Sequence, residues 1–239
     1  MTKKHAKIYQ SRVHLAVTMA VVVAPFLFFF IFSRVANVAG NKLFFDIATS
    51  SLRLLLAYVI ALVLGWVSAA LFYKGKRAVV ALPVFDVLQS FPTFAALPVA
   101  TYLWGVSDVT VIVFLVITII WPIFFSIVSS LKLIKSEWEE AVEISGLRGR
   151  DYITHFLWPV SIPGIITGSI IGLGEGWEAL VATEIIVGMQ IGLGDFFQAF
   201  SHNPGITVFG ILGFLILIFS INKLLWLPLL EWSHREMEE

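Results

Sequence analysis

Three carboxylates stand inside an otherwise apolar stretch: Glu175 and Glu178 in Gly174-Glu175-Gly176-Trp177-Glu178, and Glu184 six residues further on. A charged side chain such as Asp costs about 2.5–3.5 kcal/mol at the centre of a bilayer, so these groups must face protein or water. Glu175 and Glu178 are three residues apart and share a helix face, whereas Glu184 points elsewhere. The pair could line a polar solute path together with Trp177, or could carry a proton. It could equally be structural, bonded to Ser or Thr of a neighbouring helix or paired with Arg53.

Other chemistry finds few residues to work with. The chain has no cysteine, which excludes disulfides and thiolate metal sites. His155 and His202 fall on opposite sides of the expected membrane, and neither has a ligand at useful spacing. There is no His-Glu-x-x-His, no nucleophile elbow and no nucleic-acid signature. No Gly-x4-Gly-Lys-Ser/Thr phosphate loop occurs, so any ATP hydrolysis must come from a separate chain, and no directly bound cofactor is expected.

The elements that hold the carboxylates follow from composition. Of 239 residues 59% are hydrophobic and 13% charged, far above the apolar share of a water-soluble domain. Continuous apolar runs predict six membrane helices at roughly 14–33, 48–73, 79–103, 109–131, 161–187 and 205–230, rather than the alternating strands of a barrel. Residues 1–45 form a tail and first helix, and residues 46–239 form the main membrane domain. A cleavable leader fits poorly, because the first run is long and Asn37-Val38-Ala39 is a weak cleavage site. The third run is interrupted by Pro83, Asp86, Gln89, Pro92 and Pro98, which suits either a kinked packing helix or a wall of a water-filled path that includes Phe91 and Pro92. Most Trp residues, Trp66, Trp104, Trp121, Trp226 and Trp232 among them, are expected near span ends as interfacial anchors.

Charge placement orients the chain although the net charge is zero. Lys3, Lys4, Lys7, Arg12, Lys74, Lys76, Arg77, Lys132, Lys135, Arg148, Arg150, Lys223 and Arg235 collect on one side, against Arg34, Lys42 and Arg53 on the other. The positive-inside rule therefore predicts cytoplasmic termini and a cytoplasmic loop over 132–160.

That loop has structure of its own. Ser136 with Glu139 three residues on reads as a capping box that starts a helix near 137. Trp138, Ala141, Val142 and Ser145 share one face, while Glu139, Glu140 and Glu143 gather on another. Gly146 suits a left-handed terminating residue. A second short helix is expected over 150–158, with Asp151 near its start, Tyr152, Ile153, Phe156 and Leu157 on its apolar face, and Pro159 forcing its stop. Such a knob could fit a groove on another protein, or could pack on the ends of its own spans.

Glu140-Ala141-Val142, then Gly146, Phe156, Trp158 and Pro159, resemble the Glu-Ala-Ala-x3-Gly-x9-Ile-x-Leu-Pro loop of ABC importer permeases. Val142, Phe156 and Trp158 depart from that pattern but keep its apolar character. Ser51-Leu52-Arg53, Phe91-Pro92-Thr93-Phe94 with Leu97-Pro98, and Trp177 with Val181-Ala182-x-Glu184 are similar to the nitrate, sulfonate, taurine and bicarbonate branch. The resemblance implies an all-α type I importer membrane domain in the inner membrane, pairing with a second copy, receiving solute from an extracytoplasmic binding protein and gripped at its coupling loop by ATPase subunits that bind ATP and magnesium. The solute would be nitrate, a sulfonate, taurine or a similar small organic or inorganic anion. A proton-coupled carrier using Glu175 and Glu178 is the alternative, and because two carboxylates suit a bare anion poorly, a cationic or zwitterionic solute stays open.

Overall fold

A computed structural model describes residues 3–226, 228 and 229, with side chains from Val17 onward. Helices α1 (Lys3–Val35) and α2 (Gly40–Phe72) are followed by the shorter α3 (Gly75–Gln89) and α4 (Thr93–Trp104). Then come α5 (Asp108–Lys132), α6 (Ser136–Ser145) and α7 (Gly149–Tyr152), whose wide-turn continuation Ile153–Leu157 leads into α8 (Trp158–Val187). The short α9 (Leu193–Ala199) and α10 (Pro204–Ile221) complete the set, α10 running on through a wide turn at Asn222–Trp226. Lys3, Lys4, Lys7 and Arg12 lie where no side chain is described, and Trp232 and Arg235 lie outside the described residues.

Five of these helices, counted among the described residues, are long and apolar enough to cross a membrane, or six if α3 and α4 make one span. Helices dominate because a backbone in lipid must satisfy its own hydrogen bonds. The third run, expected to be interrupted by its prolines, is two helices bent by 79°. Pro92 supplies no donor at the break, and Ser90 and Phe91 turn with short-range bonds to Val87 and Leu88. Gln89 and Phe91 are therefore exposed at an elbow rather than on a straight wall.

The centre of the protein is the antiparallel pair α5 and α8. Gly164, Gly168, Gly172 and Gly176 recur every fourth residue along α8, so they form one face. A Cβ on Gly164 would sit 2.7 Å from the Ile127 Cα, and one on Gly168 would sit 2.6 Å from the Ile123 Cα. Further along, Gly172 meets Ile119 and Gly176 meets Ile119 and Leu54. Lipid tails are as apolar as the side chains, so close van der Waals approach of small residues is what binds such helices. A similar row on α2, Ala57, Ala61, Gly65 and Ala69, is buried, with Gly65 against Ile123. The outer helix α1 packs on α10 through Phe28, Phe32 and Phe209, Phe28 filling the space beside Gly213.

The ladder predicts a contrast within one helix. Gly168→Val, which must push the Ile123 backbone aside, should destabilise the detergent-solubilised protein by about 1–3 kcal/mol in thermal unfolding. Gly174→Ala on the same helix, with open space around its added carbon, should not lower the stability and should raise it by up to about 1 kcal/mol.

Candidate functional site

The loop between α5 and α8 is built as a projecting helix. No residue of α6 is buried, and Trp138, Ala141, Ser145 and Ile144 are all exposed, Ile144 at 87%. Of the face expected to be apolar, only Val142 turns partly inward. It lines a cavity of about 800 Å³ between α6 and the α2–α3 elbow. Glu140 is exposed. Gly146 ends the helix at φ 72°, ψ 14°, with its N–H donating to the Glu143 carbonyl. That conformation costs a residue with a Cβ about 1–2 kcal/mol, which is the physical reason for glycine here.

Two expectations for the loop are corrected. Ser136 is the first helical residue and not a cap, since Lys135 occupies the cap position without any side-chain cap bond. Glu139 is drawn away from the helix start by Lys74, 2.7 Å distant across the loop. Burial works against the Lys74 ammonium, but the Glu139 carboxylate and the Tyr73 ring together outweigh it and hold its pKa above the ordinary lysine value. Tyr73 and Tyr152 also share a hydroxyl hydrogen bond of 3.0 Å, so two contacts tie the loop to the end of α2.

The second correction concerns Pro159, which does not stop a helix. From Gly149 to Val187 the chain is one helical span. A wide turn at Ile153–Leu157, in which the Trp158 N–H donates to the Ile153 carbonyl, gives the slack that the proline ring needs. Phe156 and Leu157 are buried, while Asp151, Ile153 and Trp158 are exposed. Trp158 lies edge-on to Trp66, whose indole donates to Ser161 Oγ, fixing the entry of α8 against α2.

Halfway along α8 a face flanking the ladder turns outward beside α5. Glu175 and Glu178 are exposed there and have no hydrogen-bond or ion-pair partner among the described residues. Glu175 lines a cavity of about 550 Å³ with Gln89, Thr93, Thr118, Trp121 and Ser126. Gly176, its neighbour, touches Ile119 near the midpoint of α5, which places Glu175 at mid-span depth. Glu178 lies outside the lining, as do Phe91 and Pro92, although Phe94 from the same segment lies within it. Trp177 faces away, buried edge-on against Phe214. Trp121 was expected at a span end; it sits in mid-helix because the cavity gives its indole a polar surface without the interface.

At the end of α8 far from the loop a third group forms. Glu184 is fully buried and accepts from Arg53 Nη1 at 2.6 Å, from Ser50 Oγ at 2.7 Å and from the Gly194 N–H at 2.8 Å. Arg53 also meets Asp108 at 2.7 Å and the Ile191 carbonyl at 2.8 Å. Ser50 in turn accepts from the Leu193 N–H, and Asp46 Oδ1 accepts from Gly192. Arg53 thus serves Glu184 and Asp108, and the expected pairing with Glu175 or Glu178 does not occur. Sequence reasoning singled out neither Ser50 nor Asp46; their four-residue spacing from one another on the face of α2 that also carries Arg53 was the available signal.

A membrane-embedded bundle with an unburied helix between its two central spans, and a buried Arg–Glu latch at the far end, is matched over residues 61–225 by a family described as binding-protein-dependent transport system inner membrane component. The chain belongs to this permease family. Its fold is accordingly the type I ABC importer transmembrane fold. Among its relatives, the nitrate import permease protein NrtB of Leptolyngbya laminosa is 32% identical over 68% of this chain and 58% of its own length. The taurine transport system permease protein TauC of Escherichia coli is 26% identical over 78% of this chain and 72% of its own. The bicarbonate transport system permease protein CmpB of Synechococcus elongatus is 26% identical over 67% and 59%. This permease thus spans less than two thirds of the nitrate relative it matches. The branch read from Trp177, Glu184 and the Phe91-Pro92 segment is the branch of these relatives.

The buried latch of the permease makes a test. Removing one partner of a buried ion pair leaves an uncompensated charge and costs about 3–5 kcal/mol. Arg53→Met should therefore lower thermal stability strongly, and the double variant Arg53→Met with Glu184→Met should recover a substantial part of the loss, measured on the same detergent-solubilised protein.

Proposed function

We propose that this chain is the membrane subunit of an ATP-driven importer, moving a small solute by alternating access while a separate ATPase supplies the energy. The single observation that carries the reading is α6, an amphipathic helix with no buried residue, set between the two central spans and held by Lys74–Glu139, with Tyr73–Tyr152 tying the α7 that follows it. A helix that merely packed on its own spans would bury its apolar face, so the exposed Trp138, Ala141 and Ile144 favour a partner's groove. The ATPase subunits, with their ATP and magnesium, are the partner that family membership implies.

The same reading gives a second permease copy, most simply an identical one, and an extracytoplasmic binding protein that delivers solute. It places the chain in the inner membrane with both termini and α6 in the cytoplasm, as the distribution of Lys and Arg supports. That relatives are named for nitrate, taurine and bicarbonate supports a small solute of this range, nitrate, a sulfonate, taurine or a similar small organic or inorganic anion. A proton-coupled carrier has no observation in its favour beyond the two carboxylates themselves.

Gly146 and Glu140 test the docking. Gly146→Pro cannot adopt the left-handed turn, since proline fixes φ near −65°, and Glu140→Lys reverses an exposed charge on α6. Both variants should insert normally yet bind the ATPase at least about tenfold more weakly, a loss of roughly 1.4 kcal/mol, in co-purification or titration. Unchanged association and unchanged solute-stimulated ATP hydrolysis in both would remove α6 from the coupling role.

A further inference from the structure

We infer that the solute carries a protonated nitrogen, as an amino-bearing zwitterion does, and that Glu175 is the group that receives it in the path. The inference rests on the importer reading for the existence of a path, and it narrows the solute class within that reading. Its basis is the cavity between the α3–α4 elbow, α5 and α8, about 550 Å³ in volume, in which Glu175 is the one ionisable lining residue.

The hydrogen-bond directions around this cavity favour a donor. Thr118 Oγ1 already donates to the Phe114 carbonyl and Thr93 Oγ1 to the Phe91 carbonyl, so both hydroxyls offer lone pairs rather than protons. One amide hydrogen of Gln89 is spent on Asp86, leaving its carbonyl oxygen to accept and its second N–H to donate. With Glu175 these make a wall rich in acceptors, and Phe94, Trp121 and Phe125 line the same cavity. The indole N–H of Trp121 and the hydroxyl of Ser126 remain for an anionic end, which is the arrangement a zwitterion needs.

A bare anion finds no counter-charge at this depth. Among the described residues of α2, α4, α5 and α8, the one cation away from a helix end is Arg53, and Glu184 and Asp108 already hold it. Glu178, exposed one turn from Glu175, adds a second negative charge on the same face, and a second copy of the chain would double both. In a site of low dielectric that field raises the local concentration of cations and excludes unpaired anions.

Because the chain has no native cysteine, the field can be read with a single introduced thiol. Thr118→Cys in open membrane fragments is reacted with the cationic 2-(trimethylammonium)ethyl methanethiosulfonate and the anionic 2-sulfonatoethyl methanethiosulfonate, each rate divided by that of free 2-mercaptoethanol. The inference expects the cationic reagent to be favoured by about tenfold or more, and expects most of that preference to vanish when Glu175→Gln is added. In the variant that keeps Glu175, benzylammonium should slow labelling and benzoate should not. Equal or anion-favouring rates, a preference that survives Glu175→Gln, protection by benzoate or by neither compound, or a thiol that neither reagent reaches would each overturn it. No nucleotide or ATPase enters the measurement, so its failure is separable from failure of the coupling test above.

Discussion

Gly164, Gly168, Gly172 and Gly176 bring α8 so close to α5 that an added methyl group at the first two would strike main chain. In a membrane, where burying apolar surface between helices gains little over burying it in lipid, this close approach is the main source of cohesion. Everything with a candidate function is attached to the resulting pair. The loop helix α6 joins one end of the pair, Glu175 projects from its middle beside the ladder, and Glu184 closes the other end. By helical period Glu175, seven residues after Gly168 and three after Gly172, borders this packed face and so looks into the space beside α5.

The consequence is mechanical. Backbone-to-backbone contact tolerates little sliding, because interiors packed at this density switch between discrete arrangements rather than deforming smoothly. On the proposed reading a force applied at α6 moves α5 and α8 together instead of bending one against the other. The ties from the loop to the end of α2, Lys74–Glu139 from α6 and Tyr73–Tyr152 from α7, carry the same displacement to the third helix of the core. At the opposite end Arg53, Glu184 and Ser50 bind α2, α8 and the Ile191–Gly194 turn into one unit, while Glu175, at mid-length, has no hydrogen-bond or ion-pair partner among the described residues.

The spans were legible because their apolar runs are continuous, and the loop helix because its charges and Gly146 follow known helix-ending rules. What stayed hidden depends on residues far apart in the chain. Glu139 reads as half of a capping box until Lys74, 65 positions away, is seen to hold it. Arg53 had three carboxylates in reach on paper, and only the packing of α2 against α8 decides for Glu184, 131 positions distant. Pro159 reads as a stop unless the wide turn before it is known, and no local pattern in Ile153–Leu157 announces that turn. Gln89, Thr93, Thr118, Trp121 and Ser126 come from separate elements and meet only because α3 and α4 bend by 79° at Pro92.

The central claim is that α6, α5 and α8 move as one body, and an intramolecular distance tests it most directly. Spin labels on Glu140→Cys and Ile186→Cys, both exposed positions near opposite ends of this unit, would be measured in a labelled copy diluted among unlabelled ones, with ATPase bound, before and after trapping with an ATP analogue. The account predicts a distance within the copy that changes by less than about 2 Å, the size of a small interface shift, while distances between copies change. A change within the copy approaching the roughly 5 Å of a one-turn slip would mean that α8 slides along the ladder, and would contradict it.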